Sequence, residues 1–332
     1  MLFRSAAAEV GSSRGPLWQE SVGTLTFEDD APPASLDTLF DLASLTKPMA
    51  TTTVALRLIE QQRLHLDTTA ASLIHGWSGD DRAGVTIRDL LEHSSGLSAR
   101  LLDRPPLGRA AFEHEICALP LEYLPRSRAL YSDLGFILLG FCAEQAGGRP
   151  LQEQSAGVLH DILEATGPAG AGGDLSVAVP VDLRRRTAPT LPLPDDDRRG
   201  RQLVGEVHDT YAAALGGFAG HAGLFGTATG VGRFARAVLR AARGVPGGPS
   251  PLSPGALETA TTRSRVAGSS RALGWDTMLP TSSCGTRLSA SAFGHVGFTG
   301  TSLWIDPGLD RYFVLLTNRV CGGRSEEHTS EL

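Results

Sequence analysis

The stretch TLFDLASLTK, residues 38–47, decides the interpretation of the chain because it ends in Ser44 and Lys47, three positions apart. Apolar residues recur at helical spacing over 46–62, and Pro48 is tolerated only in a first turn, so this helix is predicted to begin near Ser44. Side chains at i and i+3 share a helix face, which brings the lysine amine close to the serine hydroxyl. The free N–H groups at a helix start also favour an anion at Ser44. The stretch therefore predicts a nucleophilic serine with a lysine beside it.

Lys47 is the single lysine among 30 Lys and Arg residues. Arginine stays protonated in proteins, whereas a desolvated lysine can become a neutral amine and take the proton of a serine hydroxyl. Two other interpretations fit residues 44–47 taken alone. Ser44 can be a helix N-cap followed by a surface lysine, or Lys47 can form a Schiff base with a carbonyl substrate. Motifs elsewhere in the chain are needed to choose between them.

The composition excludes several classes of protein. The 332 residues, 41% of them hydrophobic and 20% charged, suffice for one large domain or two intimate ones. A formal net charge of −6 does not indicate a basic surface that binds nucleic acid. No apolar run approaches the ~18 residues of a membrane span. The sequence contains neither a phosphate-loop motif nor a G-x-S-x-G nucleophile elbow. The four cysteines lie far apart, which predicts free thiols rather than zinc ligands.

The order of the predicted elements is strand, helices, strands. Beyond 46–62, helices are predicted at 86–93, 133–145, 151–163 and 228–243, and strands at 16–27, 271–278, 293–297, 301–305 and 311–317. Residues 166–200, rich in Gly, Pro and charge, predict a long surface loop. This order indicates an α+β sheet domain that is interrupted by a mainly helical insertion.

Two further motifs follow in the chain: Tyr131-Ser132-Asp133 opens a predicted helix, and His295-Val296-Gly297 ends a predicted strand. Together with S-x-x-K at 44–47 they resemble, in order and spacing, the motifs of the penicillin-binding protein and class C β-lactamase superfamily of active-site serine hydrolases, in its H-x-G variant. Four flanking stretches match as well: TLFDLA at 38–43, TIRDLLEHSSGL at 86–97, GFAGHAGLF at 217–225, and residues 297–307. The resemblance covers most of 6–323.

The resemblance implies an α+β, β-lactamase/transpeptidase-like fold: an antiparallel sheet of about five strands flanked by helices, with a mainly helical subdomain and the site at their junction. We expect residues 6–65 and 201–323 to form the discontinuous sheet subdomain and residues 66–200 the helical one. Residues 1–5 and 324–332 resemble translated sequencing adapter, and we expect both to be non-native ends, with the native N-terminus missing. The resemblance is compatible with a periplasmic or secreted location.

The resemblance also implies a role for each matching residue. Ser44 attacks a carbonyl and becomes acylated, while Lys47 and Tyr131 act as general base and proton shuttle. The backbone N–H groups of Ser44 and Phe298 form an oxyanion hole, and His295 binds a carboxylate or relays protons. The residues expected along the substrate are Asp133, His295 and Gly297. The expected substrate is a small molecule or peptide with an ester, amide or D-Ala-D-Ala-type bond, and neither a cofactor, a metal nor nucleic acid is implied.

The sequence departs from the family pattern at two positions. Asp133 stands where the family has Asn, and Val296 where it has Thr. An ionised Asp133 only accepts hydrogen bonds and can keep Lys47 protonated, which would leave Tyr131 as the stronger base. Both departures argue against efficient β-lactam hydrolysis, and they keep open a second hypothesis, a non-catalytic module that binds cell-wall peptides or β-lactams on the same fold. The histidines expected to have structural roles are His93, His208 and His221.

Overall fold

The computed structural model describes residues 4–101, 104–166, 175–245 and 252–321, and an antiparallel sheet of six strands lies at its centre. The strands are β1 (Ser5–Ser12), β2 (Gly15–Gly23), β6 (Asp276–Thr277), β7 (Phe293–Gly297), β8 (Thr301–Asp306) and β9 (Arg311–Thr317). Their order is β2-β1-β9-β8-β7-β6, so β1 from the start of the chain pairs with β9 from its last part.

A second, small sheet leads the chain to the predicted nucleophile. It consists of β3 (Phe40–Asp41), β4 (Leu175–Ser176) and β5 (Phe225–Gly226), in the order β3-β5-β4. Because β3 is hydrogen-bonded to β5 and ends at Asp41, the backbone is anchored three residues before Ser44.

Nine α-helices lie in the described part of the chain: α1 (Thr53–Glu60), α2 (Ala70–Leu73), α3 (Ile87–Leu91), α4 (Gly108–Ala118), α5 (Asp133–Gly147), α6 (Leu151–Ala165), α7 (Thr210–Ala214), α8 (Ala228–Ala242) and α9 (Pro254–Thr261). Helix α8 packs on β1 and β9, while α5 is buried along most of its length among α2, α3 and α6. None of these helices is long and apolar enough to cross a membrane.

One hydrophobic core joins the sheet to the helical region. It runs from Ala7 and Tyr312 on the sheet, through Val231 on α8, to Phe136 on α5 and Trp77 after α2. Continuous apolar burial of this kind holds the two regions in a fixed relation, and the predicted site lies where they meet.

The α+β class and the helical insertion are confirmed, and α3, α5, α6 and α8 match their predicted positions. The helix predicted over 46–62 is present but is not one regular α-helix, because it begins with a π-helical turn (Lys47–Thr52) and continues as α1, and a 3-10 turn (Ala43–Leu45) precedes it. Residues 166–200 are not wholly irregular, since their described part contains β4 and a 3-10 helix, and the strand predicted over 271–278 shortens to β6. The elements that the sequence missed include β1, α4 and α9. Strand β1 has the sequence SAAAEVGS, in which alanine favours helix, and it is held as a strand by partners on both edges.

The predicted division into subdomains stays a prediction. Strand β4 belongs to the 66–200 segment in sequence but pairs with β5 from the 201–323 segment. Ser5 begins β1 and its N–H donates to Asn318 Oδ1 at 3.0 Å, and the origin of residues 1–5 also stays a prediction. The segment 324–332 lies outside the described residues. All four cysteines are free thiols, as predicted.

Candidate active site

Ser44 lies in a tight turn between β3 and α1. The preceding residue, Ala43, has a φ of 47°, in the left-handed region that residues with a Cβ seldom adopt. Asp41 Oδ1 accepts the Ala43 N–H at 2.8 Å and holds this conformation. The chain continues through the π-helical turn that begins at Lys47. Backbone strain and π-helical turns both concentrate at functional sites, which agrees with the role predicted for Ser44.

The Lys47 side chain is completely buried. Its Nζ donates to Ser44 Oγ at 3.0 Å, to Asp133 Oδ1 at 2.8 Å and to the backbone O of His221 at 3.2 Å. A lysine ammonium has three donors, and here each has an acceptor. The interpretation of Lys47 as a surface lysine is therefore wrong.

The charge state of Lys47 follows from its partner. Burial alone lowers the pKa of Lys47, but the Asp133 carboxylate, followed by Tyr131, offsets burial and raises the pKa above its ordinary value. Burial raises the pKa of Asp133, while Lys47 and then the neighbouring His221 and Arg100 bring it below its ordinary value. The pair is ionised at neutral pH. This removes the neutral amine that a lysine general base or a Schiff base requires.

Tyr131 forms the second contact with the predicted nucleophile, since its OH donates to Ser44 Oγ at 2.8 Å. The ring of His93 packs against the Tyr131 ring, with 4.7 Å between centroids, and His93 Nδ1 accepts the Ser132 N–H at 3.1 Å. Ser132 Oγ in turn caps the start of α5. His93 thus has a structural role, as predicted: it accepts a backbone N–H at the start of α5, and this contact positions the Tyr131 segment.

Both oxygens of the Asp133 carboxylate accept from cations. Oδ1 accepts from Lys47, and Oδ2 accepts from Arg100 Nη1 at 2.7 Å. These contacts hold Lys47 beside Ser44, and a contact between Asp133 and the substrate stays a prediction.

Arg100 belongs to a charged network that the sequence did not reveal. Its Nη1 also binds Asp209 Oδ2 at 3.0 Å, and Asp209 Oδ1 lies 2.7 Å from His221 Nε2. Asp133, Asp209 and His221 offer atoms within 4.8 Å of one another that could hold a metal ion, but Lys47 and Arg100 already neutralise both carboxylates. The signal that could have found the network is Asp133 itself, because a buried carboxylate with one lysine partner has a second oxygen to satisfy.

His295 is buried beside Tyr131, with 5.9 Å between the ring centroids. Burial first, then the charges of Arg271 and Lys47, lower the pKa of His295 to about 3, so its imidazole is neutral at neutral pH. Nδ1 bonds to the Val296 carbonyl at 2.7 Å, which makes Nδ1 the donor and leaves Nε2 an acceptor with no partner among the described residues. A neutral acceptor does not attract an anion, and both roles expected of His295, carboxylate binding and proton relay, stay predictions.

Gly297 lies where a side chain would collide with its neighbours. A Cβ at this position would lie 2.1 Å from Thr301 Oγ1 and 2.7 Å from the Leu42 carbonyl. The glycine therefore lets β7 approach the turn that carries Ser44, and the expectation that it also lies along the substrate stays a prediction.

The side chains of two threonines form hydrogen bonds that link the turn after β7 to the turn before Ser44. Thr299 Oγ1 donates to the Asp41 carbonyl at 2.7 Å, and Thr301 Oγ1 donates to the Leu42 carbonyl at 3.0 Å. Phe298 lies within the fastened turn. The two residues predicted to supply oxyanion-hole N–H groups, Ser44 and Phe298, are thus on turns bonded directly to each other.

A serine that accepts from a buried ammonium and from a tyrosine, at the junction of an antiparallel sheet and a helical region, is the arrangement of an active-site serine hydrolase. The comparisons with known proteins agree: the family model Beta-lactamase matches residues 3–331, and the chain belongs to this family. The protein is a serine hydrolase.

Individual relatives cover nearly the whole chain. A protein named "Putative D-alanyl-D-alanine carboxypeptidase" of Escherichia coli strain K12 is 31% identical over 313 residues, which are 86% of this chain and 70% of the relative. Among solved structures, a penicillin-binding protein homolog from Caulobacter crescentus has a TM-score of 0.74 at 20% identity and covers 95% of this chain and 87% of its own. "EstCE1, a hydrolase with promiscuous acyltransferase activity" has a TM-score of 0.72 at 21% identity and covers 95% and 89%. The structural likenesses confirm the fold.

Proposed function

We propose that the protein cleaves its substrate through an acyl-enzyme formed on Ser44, with Tyr131 as the proton-transfer group and Lys47 as its electrostatic partner. One observation carries this proposal. Ser44 Oγ accepts hydrogen bonds from Lys47 Nζ at 3.0 Å and from Tyr131 OH at 2.8 Å, so a charged group and a proton-transfer group meet at one hydroxyl.

The proton path follows from the charge of Lys47. Because Asp133 keeps Lys47 as an ammonium, we assign the uptake of the Ser44 proton to Tyr131, which first gives up its own hydroxyl proton to solvent, with the ammonium 4.6 Å from the centre of its ring. The Ser44 proton passes to Tyr131 as Oγ attacks the carbonyl carbon. When the intermediate collapses, the bond to the leaving group breaks and that group takes the proton from Tyr131. Water then gives a proton to Tyr131 and attacks the ester carbonyl. As the bond between the acyl group and Ser44 breaks, Oγ takes that proton from Tyr131 and the acid is released.

The developing oxyanion needs donors that are already in place. The N–H groups of Ser44 and Phe298 are the proposed pair, supported by the direct bonds between their two turns. Removing one such donor in other enzymes costs about 10²–10³ in kcat.

For the substrate class, we propose an ester or a peptide ending in D-Ala-D-Ala rather than a β-lactam. The name of the Escherichia coli relative supports the peptide. Asp133 and Val296 argue against the lactam, since the first is committed to Lys47 and Arg100 and the second has no hydroxyl for a substrate carboxylate.

A serine-directed label tests the proposal. The intact protein is exposed to a fluorophosphonate and the adduct is located by peptide mass spectrometry. We expect one adduct, on Ser44, that Ser44→Ala loses while the exposed control Ser72→Ala keeps it. Absence of label on folded wild-type protein, together with no turnover of p-nitrophenyl esters, would instead support the non-catalytic binding module, which the intact Ser44, Lys47 and Tyr131 contacts disfavour.

A further inference from the structure

Arg271 lies between α9 and β6 in the chain, and its side chain packs against Tyr131. Its guanidinium carbon is 5.1 Å from the centroid of the Tyr131 ring, and the residue is half-buried. Its backbone is held on both sides, because its N–H donates to Ser269 Oγ at 3.0 Å and its carbonyl accepts from Ser264 at 2.7 Å. The cation is thus held one aromatic ring away from the nucleophile.

No carboxylate of the described residues pairs with this cation. None of the ion pairs among the described residues involves Arg271, and none of their side-chain hydrogen bonds comes from its guanidinium. Arg100, another arginine near the site, differs in this respect, since it binds both Asp133 and Asp209. A partly buried cation without a counter-ion is costly unless an anion joins it.

Among the charged groups near Tyr131, Arg271 is a positive charge that is not balanced by a described negative one. Lys47 and Arg100 are balanced by Asp133 and Asp209. His93 and His295 are neutral because burial, followed by the charge of Arg271, lowers the pKa of each. The surroundings of Tyr131 therefore have one positive charge, on Arg271, that no described carboxylate neutralises.

We propose that Arg271 determines specificity by binding a carboxylate that the substrate carries within a few bonds of the scissile carbonyl. This inference rests on the proposed function. A guanidinium presents parallel N–H groups that match a carboxylate. The alternative groups on β7 do not serve, since His295 is a neutral acceptor and Val296 has no hydroxyl.

A matched pair of substrates tests the proposal: 3-carboxyphenyl acetate and its uncharged analogue 3-carbamoylphenyl acetate. The quantity measured is the ratio of kcat/KM for the charged over the uncharged ester, and wild-type protein is expected to favour the charged one. Because a hydrogen bond to a charged group contributes about 1.5–3 kcal/mol, Arg271→Gln should lower the ratio about tenfold or more. Arg271→Lys should restore part of it. The exposed control Arg265→Gln should leave the ratio at the wild-type value, and added salt should reduce the ratio for wild type.

Three outcomes would overturn the inference. If Arg271→Gln lowers kcat/KM for both esters in equal proportion, Arg271 acts on Tyr131 rather than on the substrate. If the ratio in Arg271→Gln and in Arg271→Lys equals the wild-type ratio, Arg271 does not recognise the carboxylate. If wild-type protein hydrolyses neither ester and takes no fluorophosphonate label, the proposed function fails and the inference with it, whereas labelling without charge discrimination refutes the inference alone.

Discussion

At the scale of single residues, the geometry of Lys47 matters as much as its charge. A compact ammonium reaches three acceptors that converge on one point, whereas a planar guanidinium spreads its donors in a fork. We therefore expect Lys47→Arg to preserve the positive charge but to lower the acylation rate by about 10²–10⁴-fold, the usual contribution of proton-transfer catalysis. The check is the rate of fluorophosphonate labelling, with circular dichroism showing that the variant is folded. Labelling at the wild-type rate would contradict the proposed role.

The carboxylate of Asp133 sets the pH range in which Lys47 is charged. It raises the pKa of Lys47 against the effect of burial, so Asp133→Asn should lower that pKa. With the ammonium as the active form, the alkaline limb of the kcat/KM profile then moves to lower pH. The profile of p-nitrophenyl ester hydrolysis measures this shift. The exposed Asp30→Asn serves as control, and an unmoved limb would show that Asp133 does not govern Lys47.

Asp41 gives a pH dependence of stability with a definite sign. Burial raises its pKa to about 6, although the N–H groups of His208 and Ala43, and more weakly Arg198, act in the opposite direction, while Asp209 adds to the rise. The folded protein then holds a proton that the unfolded chain releases between about pH 4 and 6, so this contribution to stability falls as pH rises through that window. Relative to Asp41→Asn, wild type should lose on the order of 2–3 kcal/mol between pH 4 and 7.

Urea titrations of wild type, Asp41→Asn and the control Asp30→Asn at several pH values measure that difference. The wild type and the control should follow the same curve, and only Asp41→Asn should deviate from it. A constant difference between wild type and Asp41→Asn would mean that Asp41 is ionised throughout.

At the scale of elements, the contact between β7 and the Ser44 turn is the critical one. An added methyl at Gly297 would collide with Thr301 and the Leu42 carbonyl, so Gly297→Ala should destabilise the protein by about 1–3 kcal/mol and slow acylation together. The matched control is Gly157→Ala on α6, where nothing lies within 4 Å of the new Cβ and the expected change is a stabilisation of up to about 1 kcal/mol. Thermal unfolding and labelling rates measure both. Full activity in Gly297→Ala would show that the two turns are independent.

The elements also show where local sequence patterns stop being informative. Helices α3 and α8 were predictable because Thr86 and Thr227 cap them and apolar residues recur along them. Strand β1 and the π-helical turn were not predictable from the local sequence. The first owes its conformation to β2 and β9, and the second to contacts that Lys47 makes with distant residues.

At the scale of the whole molecule, one core crosses the boundary between the sheet and the helical region. Site residues come from both sides, with Ser44 and Lys47 near the sheet and Tyr131 and Asp133 at the start of α5. We expect urea to abolish ester hydrolysis and near-UV circular dichroism at the same midpoint, in a single transition. A hydrolysis midpoint well below the structural one would show that the two regions separate before either unfolds.

The sequence by itself determined the family, the α+β class and the positions of Ser44, Lys47 and Tyr131, because motif order and helix starts are local properties of the chain. The tertiary structure decided the charges. Asp133, 86 residues from Lys47, makes it an ammonium, and burial makes His295 neutral. These states depend on desolvation and on partners that only folding brings within a few ångströms. The same holds for Arg271, because its position beside the Tyr131 ring, without a carboxylate partner among the described residues, is a property of the folded site and of no sequence motif.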